Sequence, residues 1–314
     1  MSGIGNSGEA AGKGRVKNAI LIAGPTASGK SALALRLAEK HGGDIVNTDS
    51  MQGYSILDIL TARPAAEETK RVPHHLYGHV HPSTAYSTGA WLRNVGELID
   101  EGTLSGPRPI FVGGTGLYFR ALSEGISKMP DVPTEVRERW RYELNEQGAP
   151  KLHRILMRED AAAAMKLKAG DGQRIVRALE VLEASGRSIL AWQAERGLPL
   201  IDRDSAHFFV IEPERAALVA RIEARFDTMI ERGALDEVHE LAALGLDPSL
   251  PAMKAIGVPE LKAAMAGEMT FDEAIQRAKI ATRQYAKRQA TWFRNQLDDQ
   301  WRRVQPTDNL DLTL

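Results

Sequence analysis

The segment 18–31, NAILIAGPTASGKS, limits what this chain can fold into more than any other. An apolar run, Ala19-Ile20-Leu21-Ile22, leads into Gly24-Pro25-Thr26-Ala27-Ser28-Gly29-Lys30-Ser31. This satisfies G-x-x-x-x-G-K-[ST] with a strand pattern before it and a helix pattern after it. The glycines let the backbone turn so that several N–H groups face one anion, and the helix opening at Lys30 adds the positive end of its dipole. Lys30 is expected to reach the terminal phosphate and the Ser31 hydroxyl to offer an oxygen to Mg2+. Strand, loop and helix in this order imply an α/β chain with a P-loop NTPase-like core, a parallel sheet flanked by helices. The loop specifies an oligophosphate without specifying which one.

The rest of the composition excludes several classes. At 314 residues and 43% apolar content the chain can bury a proper core in one or two domains. It contains no cysteine, which excludes disulfides, Cys-ligated zinc and a thiol nucleophile. No run of about 18 apolar residues suggests a membrane span. Residues 1–16 are Gly-, Ser- and Ala-rich without the apolar region of a signal peptide, and are expected to form a disordered tail. These features favour a cytoplasmic protein, with a monomer as the default. A formal net charge of −1 gives no overall basic signature, so any nucleic-acid contact must rest on local patches.

After the phosphate loop, Leu33, Ala34, Leu37 and Ala38 mark the apolar side of a helix that ends near Gly42-Gly43. The next strand, Asp44-Ile45-Val46-Asn47-Thr48, finishes at Asp49-Ser50. Carboxyl ends of strands in an open parallel sheet line the ligand crevice, so Asp49 should face the crevice of the phosphate loop. There it is suited to act as a general base, although a helix cap or an outer contact to magnesium would use the same residue type. His74, His75, His79 and His81 invite a zinc reading, but they lack a helical i, i+4 pair and an accompanying carboxylate, so they read as loop residues near the crevice. A further strand, Pro109-Ile110-Phe111-Val112, runs into Gly113-Gly114-Thr115-Gly116. This is either a second ligand loop or a plain tight turn. It ends in glycine where a kinase or ATPase would more often carry a Walker-B aspartate.

From about Pro130 helical periodicity continues without strand signal until His207, which points to an inserted all-helical domain. Within it, Asp171 opens a helix on which Ile175, Ala178, Leu179 and Leu182 face a core while Gln173, Arg174 and Arg177 share the other side. Such a face serves either phosphate recognition or plain solvation. His207-Phe208-Phe209-Val210-Ile211 reads as the last strand. Helices follow, with Arg221 and Arg225 one turn apart. Arg283, Lys287 and Arg294 share one face, with Tyr285 and Trp292 turned elsewhere. The expected organisation is the tail 1–16, a catalytic core from 17–128 and 205–300, the helical insertion 129–204, and a C-terminal tail 301–314.

GPTASGKS, DIVNTDSMQ, ARP, VPHHL, VGGTGLY, GDGQRIVRALEV, PAMKAIG and TRQYAKRQATWFRN stand in the order found in bacterial tRNA dimethylallyltransferases, which the chain resembles over about residues 18–296. The resemblance implies transfer of the dimethylallyl group of dimethylallyl diphosphate to the exocyclic amine of the adenosine 3′ of the anticodon, with release of diphosphate. It implies that residues 24–31 hold the donor's diphosphate, with Lys30 and Mg2+ on Ser31 neutralising it. Asp49 then matches the general base, Thr115 a substrate contact, and Arg225 an arginine near the diphosphate. Ser50, Met51 and Gln52 should touch the target base and its neighbours. Arg137 and the segment Gln173, Arg174, Ile175, Val176 and Arg177 match contacts to the tRNA anticodon stem-loop, and the face of Arg283, Lys287 and Arg294 is a further candidate for backbone contact. One departure is Leu60, which stands where many relatives carry glycine and bears on the shape of the loop after Asp49 and on the preference for the bases flanking the target. The rival readings are a prenyltransferase of free adenine nucleotides, which would not need the helical insertion, and a P-loop small-molecule kinase.

Overall fold

The computed structural model describes residues 15–104, 106–308 and 310. These divide into two compact units, one built from residues 15–123 and 200–310 and the other spanning Glu124–Pro199.

The first unit opens with β1 (Ile20–Ala23) and α1 (Lys30–His41). β2 (Ile45–Asn47), α2 (Ala66–Arg71), β3 (His74–His75), α3 (Thr88–Asp100), β4 (Ile110–Gly113) and α4 (Gly116–Glu124) follow. The second unit is built from helices, α5 (Thr134–Gln147), α6 (Ala149–Glu159), α7 (Ala161–Met165), α8 (Gly172–Ser185) and α9 (Ile189–Ala194), with one antiparallel bridge between Ser127 and Arg196. The chain then returns to the first unit with β5 (His207–Ile211), α10 (Arg215–Glu231), α11 (Ala234–Ala243), α12 (Val258–Met265), α13 (Phe271–Gln296) and β6 (Arg302–Val304).

The six strands form one parallel sheet in the order β3-β2-β4-β1-β5-β6. Alternation at a period of two sends Ile20, Ile22, Ile110, Val112, Phe209 and Ile211 to one face, where they pack on Leu33 and Leu37 of α1. Leu21, Phe111, Phe208 and Val210 go to the other face, against Trp91, Phe119 and Phe293. Both faces are covered, so the strands read as near-continuous apolar runs. A separate apolar cluster joins Tyr54, Leu57, Val238, Leu241, Val258 and Leu261, and thereby docks α11 and α12 on the loop that follows β2.

Three expectations change. His207–Ile211 is not the last strand, because β6 pairs with β5 and the residues after 300 are not simply a tail. Trp301 lies in the core against Phe119 and Phe208, at ring separations of 5.4 and 5.1 Å. An edge strand of two arginines and a valine carries too little apolar pattern to be read from sequence. His74 and His75 form an edge strand beside β2 rather than a loop. Of the segment 1–16, residues 1–14 lie outside the described residues, while the Val16 N–H donates to the Leu200 carbonyl at 2.8 Å. Residues 309 and 311–314 of the expected C-terminal tail also lie outside them. Among the described residues no helix is long and apolar enough to cross a membrane.

Candidate active site

The loops after β1, β2 and β4 meet because those strands are neighbours in register. The Gly24 N–H donates to the Gly113 carbonyl at 3.3 Å, the Thr48 N–H to Val112 at 2.8 Å, and the Thr115 N–H to Thr48 at 3.1 Å. All three carboxyl ends therefore open into one crevice, as expected for an open parallel sheet.

The phosphate loop is held in its cradle shape by backbone that ordinary residues avoid. Ala27 has φ 61° and Gly29, which caps α1, has φ 90°. Ser28 is buried, and its Oγ has no hydrogen-bond partner. Ser31 is exposed at the first turn of α1. Lys30 is 9% exposed, and its ammonium donates to the Pro25 carbonyl at 3.4 Å. Burial pushes its pKa down from 10.5 to about 8; the nearby Asp49 carboxylate opposes that shift and Arg225 adds to it. Arg225, one face of α10, hydrogen-bonds the Thr26 hydroxyl. Burial lowers its pKa and Asp49 again opposes the shift. Two cations and one carboxylate thus share a desolvated space next to the loop.

Asp49 sits in a small network. Its N–H donates to Asn47 Oδ1 at 2.8 Å, and its Oδ1 accepts the Met51 N–H at 3.1 Å. Thr115 Oγ1 accepts the Ser50 N–H at 3.0 Å, so Thr115 ties the loop after β4 to the one carrying Asp49. A Cβ on Gly114 would lie 2.9 Å from Asp49 Oδ2 and would overlap Gln289, which accounts for glycine there. The doublet is a close-approach loop rather than a plain turn.

Gln289, 5% exposed on α13, was not singled out by the sequence. Its Nε2 donates to the Gly114 carbonyl and its Oε1 accepts the Thr26 N–H, both at 2.9 Å. One amide therefore bridges the phosphate loop and the loop after β4. Nothing in a helical stretch such as RQYAKRQATW marks which glutamine turns inward, because that depends on how α13 packs.

A cavity of about 350 Å³ opens beside these groups. Thr26, Asp49, Ser50, Arg225, Lys254 and Arg288 are its polar lining, and Met51, Leu60, Ile222, Phe226, Met229 and Ile256 its apolar lining. Tyr285 also lines it, with a pKa raised by burial and then by Asp49. The apolar wall comes largely from one stripe of α10, Ile222, Phe226 and Met229, on which Arg225 is the polar neighbour.

Some expected site residues lie elsewhere. Gln52 is 8% exposed and its amide donates to the carbonyls of Thr61 and Ala62 at 2.9 and 2.8 Å, so its side chain braces the loop instead of facing a base. Ile175 and Val176 belong to the core of the second unit, at 0% and 5% exposure, and their side chains are unavailable to RNA. They occupy the inward stripe of α8, whereas Gln173 and Arg174 are exposed on its outer side. Arg177 is half-buried and paired with Glu180 at 3.2 Å. Arg137 is exposed on α5, which packs on α8. Arg283 is ion-paired with Glu223, while Lys287 and Arg294 are exposed. The histidines hold no metal cluster: among the described residues no three His, Cys, Asp or Glu side chains converge. His75 instead pairs with the buried Asp44 at 2.9 Å.

A family model described as IPP transferase matches residues 52–296, and one described as isopentenyl transferase matches residues 17–77. The chain is 74% identical over 314 residues to a tRNA dimethylallyltransferase of Mesorhizobium japonicum, covering 100% of this chain and 98% of the relative. It is 58% identical over 286 residues to one of Chelativorans sp., covering 91% and 98%. Among solved structures, the full-length tRNA isopentenylpyrophosphate transferase of Bacillus halodurans superposes with a TM-score of 0.64 at 32% identity, covering 93% of this chain and 91% of that one. A eukaryotic dimethylallyltransferase acting on tRNA gives 0.76 at 28% identity, covering 93% and 74%.

Proposed function

The chain belongs to the IPP transferase family of tRNA dimethylallyltransferases, and from that premise we propose that it moves the dimethylallyl group of dimethylallyl diphosphate onto the exocyclic amine of the adenosine 3′ of the anticodon. The observation that carries this reading is the two-sided cavity. A diphosphate fits the end bounded by Thr26 of the phosphate loop and Arg225, with the buried Lys30 ammonium close enough to act on Asp49 and Arg225, and a five-carbon chain fits the wall of Ile222, Phe226 and Met229. A kinase would need no such apolar wall beside the loop, and β4 ends in Gly113 where a Walker-B carboxylate would stand.

In the reaction the amine nitrogen forms a bond to the first carbon of the prenyl chain as that carbon's bond to the diphosphate oxygen breaks. The electron pair leaves with diphosphate and the amine proton passes to Asp49. Adenine's exocyclic lone pair is delocalised into the ring, so removing that proton as the bond forms lowers the barrier. Charge builds up on the departing diphosphate, where the loop N–H groups, the Lys30 ammonium and the Arg225 guanidinium are already oriented and partly desolvated. Thr115 positions the Asp49 loop through the Ser50 N–H. The exposed Ser31 hydroxyl, with no cage of carboxylates among the described residues, fits a magnesium ion completed by phosphate oxygens and water. When bound, that ion would add positive charge on the leaving group.

The target base must leave the anticodon stack to reach this crevice. Exposed Gln173, Arg174 and Arg137 on the second unit are suited to grip the stem-loop by its phosphates, with Lys287 and Arg294 as further contacts. The test is transfer from labelled dimethylallyl diphosphate to unmodified tRNA bearing that adenosine, with free AMP as the competing acceptor. Label should enter tRNA and not AMP, and Asp49→Ala should lower kcat by about 10²–10⁴-fold. Label in AMP alone, or an Asp49→Ala variant as fast as the parent, would overturn the assignment.

A further inference from the structure

The loop after Asp49 has irregular backbone yet is tied at almost every residue. Glu237 of α11 is a buried carboxylate, 8% exposed, that accepts the N–H groups of Asp58 at 2.7 Å, Leu60 at 3.0 Å and also Ile59. Three successive N–H groups converging on one carboxylate make an anion nest turned inward, and they fix the backbone at residues 58–60. From the other side Gln52 donates to the carbonyls of Thr61 and Ala62, and the Thr61 hydroxyl donates to the Leu57 carbonyl at 2.6 Å.

The side chain this bracing aims is Leu60. It lines the cavity together with Ile222, Phe226 and Met229. Gly257 backs it closely: a Cβ placed there would sit 2.8 Å from Leu60 Cδ2 and 3.6 Å from the Phe226 ring, so any side chain at 257 would press on Leu60. Leu60 also packs into the clusters around Phe226 and around Val258, so its position is held by both walls. A half-buried leucine packed on two apolar clusters and carried on pinned backbone is a stiffer wall than one on a free loop.

We propose that Leu60, standing in this chain where many relatives carry glycine, is a specificity-determining residue that sharpens this chain's discrimination against prenyl donors longer than five carbons. This inference rests on the placement of the donor's chain along the apolar wall. The leucine side chain is a four-carbon branched group, nearly the size and shape of one isoprene unit. A donor longer by one such unit would have to occupy the volume Leu60 fills. Shortening Leu60 vacates that volume, and enlarging it trims the space left for the five-carbon chain.

The test measures kcat and KM for dimethylallyl diphosphate and for the ten-carbon geranyl diphosphate, with the same tRNA acceptor, on the parent, Leu60→Ala and Leu60→Phe. Leu60→Ala should raise the geranyl-to-dimethylallyl ratio of kcat/KM by about tenfold or more, in the range a filled or vacated apolar subsite commands. Leu60→Phe should raise the KM for dimethylallyl diphosphate and leave the KM for tRNA unchanged. Leu60→Val should shift the ratio in the same direction as alanine by less, and it decides the question should the alanine variant not fold. An unchanged ratio in a variant that still transfers dimethylallyl overturns the proposal. So does a change confined to the KM for tRNA, which would mean that this wall serves the base. Failure of the underlying reading looks different, since the parent itself would then not prenylate tRNA.

Discussion

Replacing Lys30 with methionine should stabilise the ligand-free protein at neutral pH while abolishing transfer. The Lys30 ammonium is held below 10% exposure, and burial lowers its pKa from 10.5 to about 8. The unfolded chain therefore binds this proton more tightly than the folded one. Between about pH 8 and 10.5 the unfolded state carries more of it, so this residue's contribution to stability is fully present above 10.5 and is lost as pH falls through about 8. At about 1.36 kcal/mol per pH unit the difference amounts to roughly 3 kcal/mol. Urea unfolding of the parent and Lys30→Met at pH 7 and at pH 10 measures it directly. Tyrosines and other groups that titrate in this range are common to both proteins and cancel in the difference. The advantage of the methionine variant should be about 2–3 kcal/mol larger at pH 7 than at pH 10. An advantage independent of pH would refute the reasoning, because it would mean that the ammonium is not desolvated in the folded state. The cost is retained because a bound diphosphate turns it into attraction. Calorimetry with inorganic diphosphate above pH 8 should accordingly show proton uptake in the parent that the methionine variant lacks.

Gln289→Leu should leave the Thr26 N–H and the Gly114 carbonyl without their buried partner, at a cost of about 1–3 kcal/mol for each, seen as a lower urea midpoint and a raised KM for the donor. An unchanged midpoint would mean that water replaces the amide at no cost. Trp301→Ala should lower stability by about 3–5 kcal/mol by emptying a site between Phe119 and Phe208, measured by the same unfolding. A loss under about 1 kcal/mol would mean that the C-terminal strand is peripheral to the core. Arg174→Ala should weaken tRNA binding and flatten its salt dependence by about one counterion, read from affinity against salt concentration.

The phosphate loop, β1, α1 and the Asp49 position were legible in the sequence because each is a local pattern. The spacing of two glycines, a run of apolar residues or a strand end followed by a polar residue means the same thing in any α/β sheet. The order of eight motifs identified the family for the same reason. What could not be read is instructive. The resemblance grouped Ile175 and Val176 with Gln173 and Arg174 as one RNA-contacting segment; the helical spacing had already turned Ile175 to a core, and the structure buries Val176 beside it. Gln52 resembled its neighbours Ser50 and Met51 but turns inward to carbonyls nine and ten residues ahead.

Sequence by itself determined that this chain builds a parallel sheet with a phosphate cradle at the carboxyl end of its first strand and a carboxylate beside it. Only the tertiary structure decided that Gln289 joins the cradle to Gly114, that Arg225 arrives from α10 with an apolar stripe beside it, and that Glu237 pins Leu60. The physical reason is the range of the interactions. A backbone turn or a strand's alternation is set within a few residues, whereas a buried amide or carboxylate finds its partners 175 to 263 residues away, and those distances close only when the helices pack.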